Sequence, residues 1–189
     1  FSSELPVRVE GERHLAAAGL QQALDWAGRM QSASLLVWHD GAIELEHYWG
    51  GRGPDDVSET YSMSKSLVGL AIGRAIADGA IGSVDDAAAK YLAEWRGTAK
   101  ESITLRQLLQ MTSGLHHERF NYAPRQSPRA LGLRTFLGDD IDGSVLRRFP
   151  PEQVAGAGFN YNSANTQVLL AVLQRATGRR HAEYFSERL

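Results

Sequence analysis

The strongest constraint on the fold is a single β-hairpin signal in a chain whose other patterned segments are helical. Residues 35–40 and 42–49 are rich in β-favouring side chains, and the Asp40-Gly41 dipeptide favours the positive φ angles of a tight turn. A two-stranded hairpin alone is marginally stable in water. We therefore expect this hairpin to belong to a larger antiparallel sheet whose C-terminal strands come from polypeptide outside residues 1–189.

Four segments carry apolar residues at helical spacing. They are Glu12–Arg29, Ser62–Asp78, Thr104–Met111 and Asn165–Thr177. Thr104 and Gln107 fit a capping box at the start of the third segment, and Gly178 fits a C-cap after the fourth. Together with the hairpin, these helices predict a mixed α/β (α+β) protein.

The composition is that of a globular chain with a small-molecule partner. Its 189 residues are 43% hydrophobic, which suits a sizeable core. Because 20 Lys+Arg face 22 Asp+Glu, we predict no nucleic-acid partner. Arg74 and Asp78 interrupt the most apolar stretch, so we predict no membrane span in this segment. The absence of cysteine excludes disulfides but leaves periplasm and cytoplasm both open, with export slightly favoured.

Ser62 and Lys65 form the first candidate catalytic pair. They lie three residues apart at the start of a predicted helix, so their side chains project from the same face. A serine hydroxyl becomes a useful nucleophile when a neighbouring base takes its proton, and a lysine amine can do so if its surroundings lower its pKa. The helix N-terminus also favours negative charge developing on the serine oxygen. The spacing alone also occurs by chance, so further residues must support it.

A second constellation follows about 100 residues later, in the segment Phe159-Asn160-Tyr161-Asn162-Ser163-Ala164-Asn165. Between the two lies Leu108-Leu109-Gln110-Met111-Thr112-Ser113-Gly114-Leu115. In this order the chain resembles the serine β-lactamase and penicillin-binding protein superfamily, and within it the class C β-lactamase-like esterases and amidases. The resemblance covers nearly the whole chain.

The resemblance implies a β-lactamase/transpeptidase-like fold and assigns roles to three residues. Ser62 would be the acylated nucleophile, Lys65 its proton acceptor, and Tyr161 the group that relays the proton to the leaving group. Residues 1–79 would form the N-terminal part of the α/β domain, and residues 80–189 a helical domain with an active-site loop. The implied reaction is acyl transfer to Ser62 followed by hydrolysis, without a cofactor.

Two departures from the family pattern bear on function. The usual Y-x-N motif reads Tyr161-Asn162-Ser163 here, which is similar to the 6-aminohexanoate-dimer hydrolase branch that cleaves linear amides and carboxyl esters. Ser163 is therefore a candidate substrate-binding residue. In addition, no K-x-G or H-x-G triplet follows Tyr161, so we expect that third motif and the second oxyanion donor on missing C-terminal polypeptide. That polypeptide would be a continuation of this chain or a second chain.

Other candidates are weaker. Tyr122, in the segment after Gly114, is a candidate for lining the substrate pocket. His116-His117-Glu118 lacks metal-ligand spacing, so we predict no metal site. Besides an esterase or amidase, two functions stay open: a β-lactamase or D-Ala-D-Ala carboxypeptidase, and a catalytically silent member that binds peptidoglycan or protein.

Overall fold

The computed structural model describes residues 5–115 and 151–189. The chain divides into two compact units, Phe1–Glu59 and Thr60–Leu189. The helices and strands, in chain order, are α1 (Ala17–Arg29), β1 (Ser34–His39), β2 (Ala42–Tyr48), α2 (Ser64–Ala77), α3 (Leu105–Leu109), α4 (Ser163–Thr177) and α5 (His181–Arg188). Within the described ranges, no helix combines the length and apolar character needed to cross a membrane.

The first unit contains the predicted hairpin, which is confirmed. Strands β1 and β2 pair in antiparallel register from Ser34↔Tyr48 to His39↔Ala42. Asp40 and Gly41 both have positive φ, 47° and 78°, as a two-residue turn of the I′ type requires. The first four residues of β2 are buried, so this strand carries the apolar side of the hairpin.

The outer edge of β2 receives a short pairing that we did not predict. Val7 forms a parallel bridge to Ile43, in which the Arg8 N–H donates to the Ile43 carbonyl at 2.9 Å. The Ile43 N–H in turn donates to the Pro6 carbonyl at 2.8 Å. In the described part of the chain no third strand pairs with β1, so the strands expected from elsewhere stay a prediction.

Helix α1 begins later than predicted, at Ala17 rather than Glu12. The reason is the carboxylate of Glu44 on β2, whose side chain is fully buried. It accepts hydrogen bonds from the backbone N–H groups of His14 at 2.9 Å and Leu15 at 3.4 Å. These groups are therefore held by a distant strand, and the helix starts beyond them.

The second unit is helical. Helix α2 packs against α4 and α5, and α3 packs against α4. The side chains that meet in this core without exposure to solvent include Ala71, Ile72, Ala75, Leu92, Trp95, Leu105, Leu108, Val172 and Leu173. The predicted helices are confirmed here, although α2 is preceded by a 3-10 turn at Tyr61–Met63 and α4 begins two residues early, at Ser163. The division into domains at residues 79 and 80 stays a prediction.

Asp86 organises the turn between α2 and the rest of the core. Its Oδ2 accepts from the N–H groups of Gly82 at 3.1 Å and Ser83 at 3.2 Å, from Lys90 Nζ at 2.9 Å, and from the Tyr91 hydroxyl at 2.5 Å. The hydrogen bonds from Lys90 and Tyr91 lower the pKa of Asp86 from 3.8 to about 2. The ionised carboxylate is therefore the form that the folded unit prefers.

We expect Asp86→Asn to change how stability depends on acid. Because the folded pKa is about 2 and the unfolded value is 3.8, the carboxylate stabilises the fold above pH 3.8 and loses this contribution as the pH falls to about 2. The variant should be less stable at neutral pH, and its deficit should shrink across that window. Urea unfolding at several pH values measures both effects.

Asp85→Asn is the matched control. Its carboxylate pairs with Arg106 but is 66% exposed, so solvent screens the interaction and a smaller change should follow. Parallel loss of stability in wild type and Asp86→Asn between pH 3.8 and 2 would contradict the assignment.

Candidate active site

The site is built on the turn that enters α2. Tyr61 has a φ of +43°, in the left-handed region that is unfavourable for residues other than glycine. The turn is closed by the Met63 N–H, which donates to the Thr60 carbonyl at 3.0 Å, and by Ser64 Oγ, which donates to the Tyr61 carbonyl at 2.6 Å. Ser62 therefore lies just before the first turn of α2, with its side chain exposed to solvent. Strained backbone of this kind is concentrated at functional sites.

Ser62 and Lys65 are in direct contact, as their spacing predicts. Lys65 Nζ donates a hydrogen bond to Ser62 Oγ at 3.1 Å. The same Nζ lies 5.1 Å from the centre of the Tyr161 ring, within the range of a cation–π interaction. The structure thus brings together all three residues to which the resemblance assigns catalytic roles.

Tyr161 has the electrostatic surroundings of an acidic phenol. Hydrogen bonding with Ser62, then with Lys65, lowers the pKa of Tyr161 below its ordinary value of 10.0, and the charge of Lys65 adds to the effect. Partial burial opposes the shift without reversing it. The ring is 47% exposed, so a proton can pass between the phenol and a bound molecule or solvent.

Three further residues contribute to the site, and sequence reasoning assigned them no role. Ser113, Asn162 and Asn165 are buried polar residues beside Tyr161. Ser113 Oγ donates to Asn165 Oδ1, and Asn162 Nδ2 donates to the Leu115 carbonyl at 3.1 Å. Their only signal in the sequence is that they lie inside the two motifs that carry the resemblance.

The remaining candidates are placed less decisively. Ser163 is the first residue of α4, two positions after Tyr161, and is half-buried. Its role in substrate binding stays a prediction. Tyr122 and the His116-His117-Glu118 segment lie outside the described residues.

One group in the described part of the chain has ligand atoms close enough to consider a metal. His14, His39 and Glu44 each offer an atom within 4.8 Å of the others. However, Arg8 Nε lies 3.0 Å from Glu44 Oε1, so a guanidinium already balances the one buried carboxylate. A cation would have to compete with that pair. The group is best described as an ion-pair cluster beside the hairpin, and the prediction of no metal and no cofactor stays a prediction.

Comparison with known proteins identifies the family. Residues 15–189 match the sequence profile of the Beta-lactamase family. The chain belongs to this family. The predicted β-lactamase/transpeptidase-like fold, with helices and a small antiparallel sheet, is confirmed.

Three relatives show where in the family the chain lies. The 6-aminohexanoate-dimer hydrolase of Paenarthrobacter ureafaciens is 29% identical over 158 residues, covering 81% of this chain and 40% of that protein. A D-stereospecific amidohydrolase from Streptomyces sp. superposes with a TM-score of 0.66 at 26% identity, covering 93% of this chain and 54% of that chain. A class C β-lactamase in complex with cefoxitin shares the fold, with a TM-score of 0.63 at 19% identity over 91% of this chain and 47% of that chain. The chain thus spans roughly half the length of its solved relatives.

We expect Tyr161 to ionise at lower pH than an ordinary tyrosine. Difference absorbance between wild type and Tyr161→Phe isolates its phenolate signal during a pH titration. Lys65→Met should raise the apparent pKa of Tyr161, because it removes both a hydrogen bond and a positive charge.

Lys90→Met is the control for that titration. Lys90 Nζ lies 5.5 Å from the centre of a different ring, Tyr91, so its loss should leave the Tyr161 signal in place. An unchanged Tyr161 titration in Lys65→Met would show that the Lys65 contact does not govern the phenol.

Proposed function

We propose that this chain carries the nucleophile of a serine hydrolase that cleaves small carboxyl esters or linear amides through an acyl-enzyme on Ser62. The single observation that carries the proposal is the hydrogen bond from Lys65 Nζ to Ser62 Oγ, at 3.1 Å, with Tyr161 beside both. Nucleophile and proton-transfer groups within hydrogen-bond reach are the arrangement that covalent catalysis needs.

In the first step, Ser62 Oγ attacks the substrate carbonyl carbon and gives up its proton. The Lys65–Tyr161 pair receives that proton, and the lowered pKa of Tyr161 supports the phenolate as a member of the accepting pair. Lys65 as an ammonium ion also stabilises negative charge on Oγ, since its hydrogen bond is aimed at that atom. The C–O bond to Ser62 forms while the carbonyl oxygen becomes an oxyanion.

In the second step, the tetrahedral intermediate collapses and the bond to the leaving amine or alcohol breaks. Tyr161 returns the proton to that leaving group, and water later hydrolyses the acyl ester on Ser62 by the reverse sequence. The backbone N–H of Ser62 supplies one oxyanion donor in this proposal. The second donor and the third motif would come from polypeptide outside residues 1–189, so activity is tested in the full-length protein.

The substrate class rests on Ser163 and on the relatives. Two relatives are named as a 6-aminohexanoate-dimer hydrolase and a D-stereospecific amidohydrolase, and both names denote amide hydrolysis. A serine at position 163 offers a short hydroxyl where penicillin-recognising members of the resembled family carry an asparagine amide. A β-lactamase, a D-Ala-D-Ala carboxypeptidase and a silent binding protein are the outcomes against which the proposal is tested.

We expect a fluorophosphonate probe to label Ser62 in the full-length protein. Lys65→Met keeps the size of the side chain but removes the amine, so it should fold and label about 100- to 10,000-fold more slowly. Lys90→Met, which also removes a lysine beside a tyrosine, should label at the wild-type rate. Mass mapping of the labelled peptide identifies the modified residue.

An adduct on Ser64 or Ser66 instead would refute Ser62 as the nucleophile. The absence of any adduct on folded full-length protein would favour the silent binding member. Equal labelling of Lys65→Met and wild type would show that another group activates Ser62.

We expect short-chain p-nitrophenyl esters and linear amides to exceed cephalosporins in kcat/KM. Ser163→Asn should shift that ratio toward the cephalosporin, because it restores an amide with both a donor and an acceptor. Steady-state kinetics on both substrate classes measure the ratio. A wild-type kcat/KM that is higher for the cephalosporin would identify a β-lactamase and overturn the esterase or amidase proposal.

A further inference from the structure

The position of Tyr161 is not set by its own secondary structure. It lies in an irregular segment that ends where α4 begins, and its ring is half-exposed. Its contact with Lys65 nevertheless requires a fixed backbone, because a phenol on a free segment would sample many positions. Something outside residues 158–162 must therefore hold this stretch.

The loop at residues 111–115 makes hydrogen bonds on both sides of Tyr161. Before it, the Asn160 N–H donates to the Met111 carbonyl at 2.8 Å. After it, Asn162 Nδ2 donates to the Leu115 carbonyl at 3.1 Å, while Asn162 Oδ1 accepts the Ala164 N–H at 2.9 Å and so caps α4. Tyr161 is thus bracketed by two residues that are tied to one loop.

A deeper contact ties the same loop to the first turn of α4. Ser113 Oγ donates to Asn165 Oδ1 and accepts the Leu115 N–H at 3.2 Å. Asn165 Nδ2 lies 3.3 Å from Met111 Sδ. Ser113 and Asn165 are each only 1% exposed, and Asn162 is 3% exposed.

We infer that Ser113, Asn162 and Asn165, together called the Ser113 cluster, are positioning residues that hold Tyr161 against Lys65 and Ser62. The inference rests on the proposed function for its catalytic consequence. Its geometric part, the placement of Tyr161, stands independently of whether the protein is a hydrolase.

The chemistry of the cluster favours positioning over simple packing. A buried polar pair loses hydration, so its net contribution to stability is small even when every bond is made. Apolar side chains of similar size would fill the same space without that loss, but would leave the loop free to slide along α4. Hydrogen bonds fix distance and direction together, and a polar network with all partners satisfied specifies one arrangement.

The test uses Ser113→Ala in the full-length protein. The variant removes the hydroxyl that joins the loop to α4, without changing charge. We expect the apparent pKa of Tyr161 to rise toward its ordinary value of 10.0, because its contacts with Ser62 and Lys65 become intermittent. We expect kcat for ester hydrolysis to fall about 10- to 100-fold with KM little changed, since Ser113 is buried and the misplaced group acts in proton transfer.

Two controls separate positioning from loss of stability. Thr112→Val removes the neighbouring hydroxyl, which donates only within the loop to the Gln107 carbonyl at 3.4 Å. Leu173→Ala opens a cavity in the core of α4 and should cost about 2–5 kcal/mol of stability. Both should leave the Tyr161 titration and kcat near wild type at a temperature where the proteins are folded.

A second variant covers the case in which Ser113→Ala does not fold. Asn162→Ser keeps a neutral side chain that can cap α4 but is too short to replace the amide bond to Leu115. It should raise the Tyr161 pKa and lower kcat as Ser113→Ala does. A Tyr161 titration unchanged in the folded variant overturns the inference, even if the enzyme is active. Wild-type protein that hydrolyses no ester and takes no label instead overturns the proposed function, and the Tyr161 titration still decides the inference.

Discussion

The packing of α2 against α4 is the interaction on which the rest of the helical unit depends. Ala71 and Ile72 of α2 and Val172 and Leu173 of α4 are all shielded from solvent in the same core. Lys65 lies in the first turn of α2, and Tyr161 precedes α4 by two residues. Their contact, 5.1 Å from Nζ to the ring centre, shows that both helices begin on the same side of this core. The apolar core thus brings the two halves of the site together.

Apolar packing fixes the helices but not the irregular segment that carries Tyr161. The loop at residues 111–115 does that, and it is itself tightly constrained. Gly114 has a φ of +72°, and a Cβ at this position would lie 2.2 Å from the Gln153 carbonyl oxygen. No larger side chain fits where the two segments cross. The loop is therefore a rigid support, which explains how hydrogen bonds to it can orient a tyrosine that lacks regular secondary structure.

The site, rather than the fold, distinguishes this chain within its family. The fold is shared with an amidohydrolase and with a class C β-lactamase, so shape alone does not select a substrate. What differs is local chemistry. The Ser62–Lys65–Tyr161 contact supplies proton transfer that any acyl substrate would use, whereas Ser163 changes the polar groups offered beside it. Reaction type and substrate preference therefore depend on different residues of the same motif.

The sequence by itself determined the features that depend on neighbours along the chain. Asp40-Gly41 specified the hairpin turn because both residues tolerate positive φ, and the three-residue spacing of Ser62 and Lys65 placed them on one helical face. The capping box of Thr104 and Gln107 formed as predicted for the same reason. In each case the interacting groups lie within a few residues, so local geometry suffices.

Only the tertiary structure decided the features that join distant segments. The start of α1 depends on Glu44, 30 residues away from His14, and the support of Tyr161 depends on a bond between Ser113 and Asn165, 52 residues apart. Periodicity and caps carry no information about such pairs, because a buried carboxylate or amide finds its partner only when packing brings two segments together. The sequence therefore identified the reacting side chains, and the tertiary structure determined how they are held.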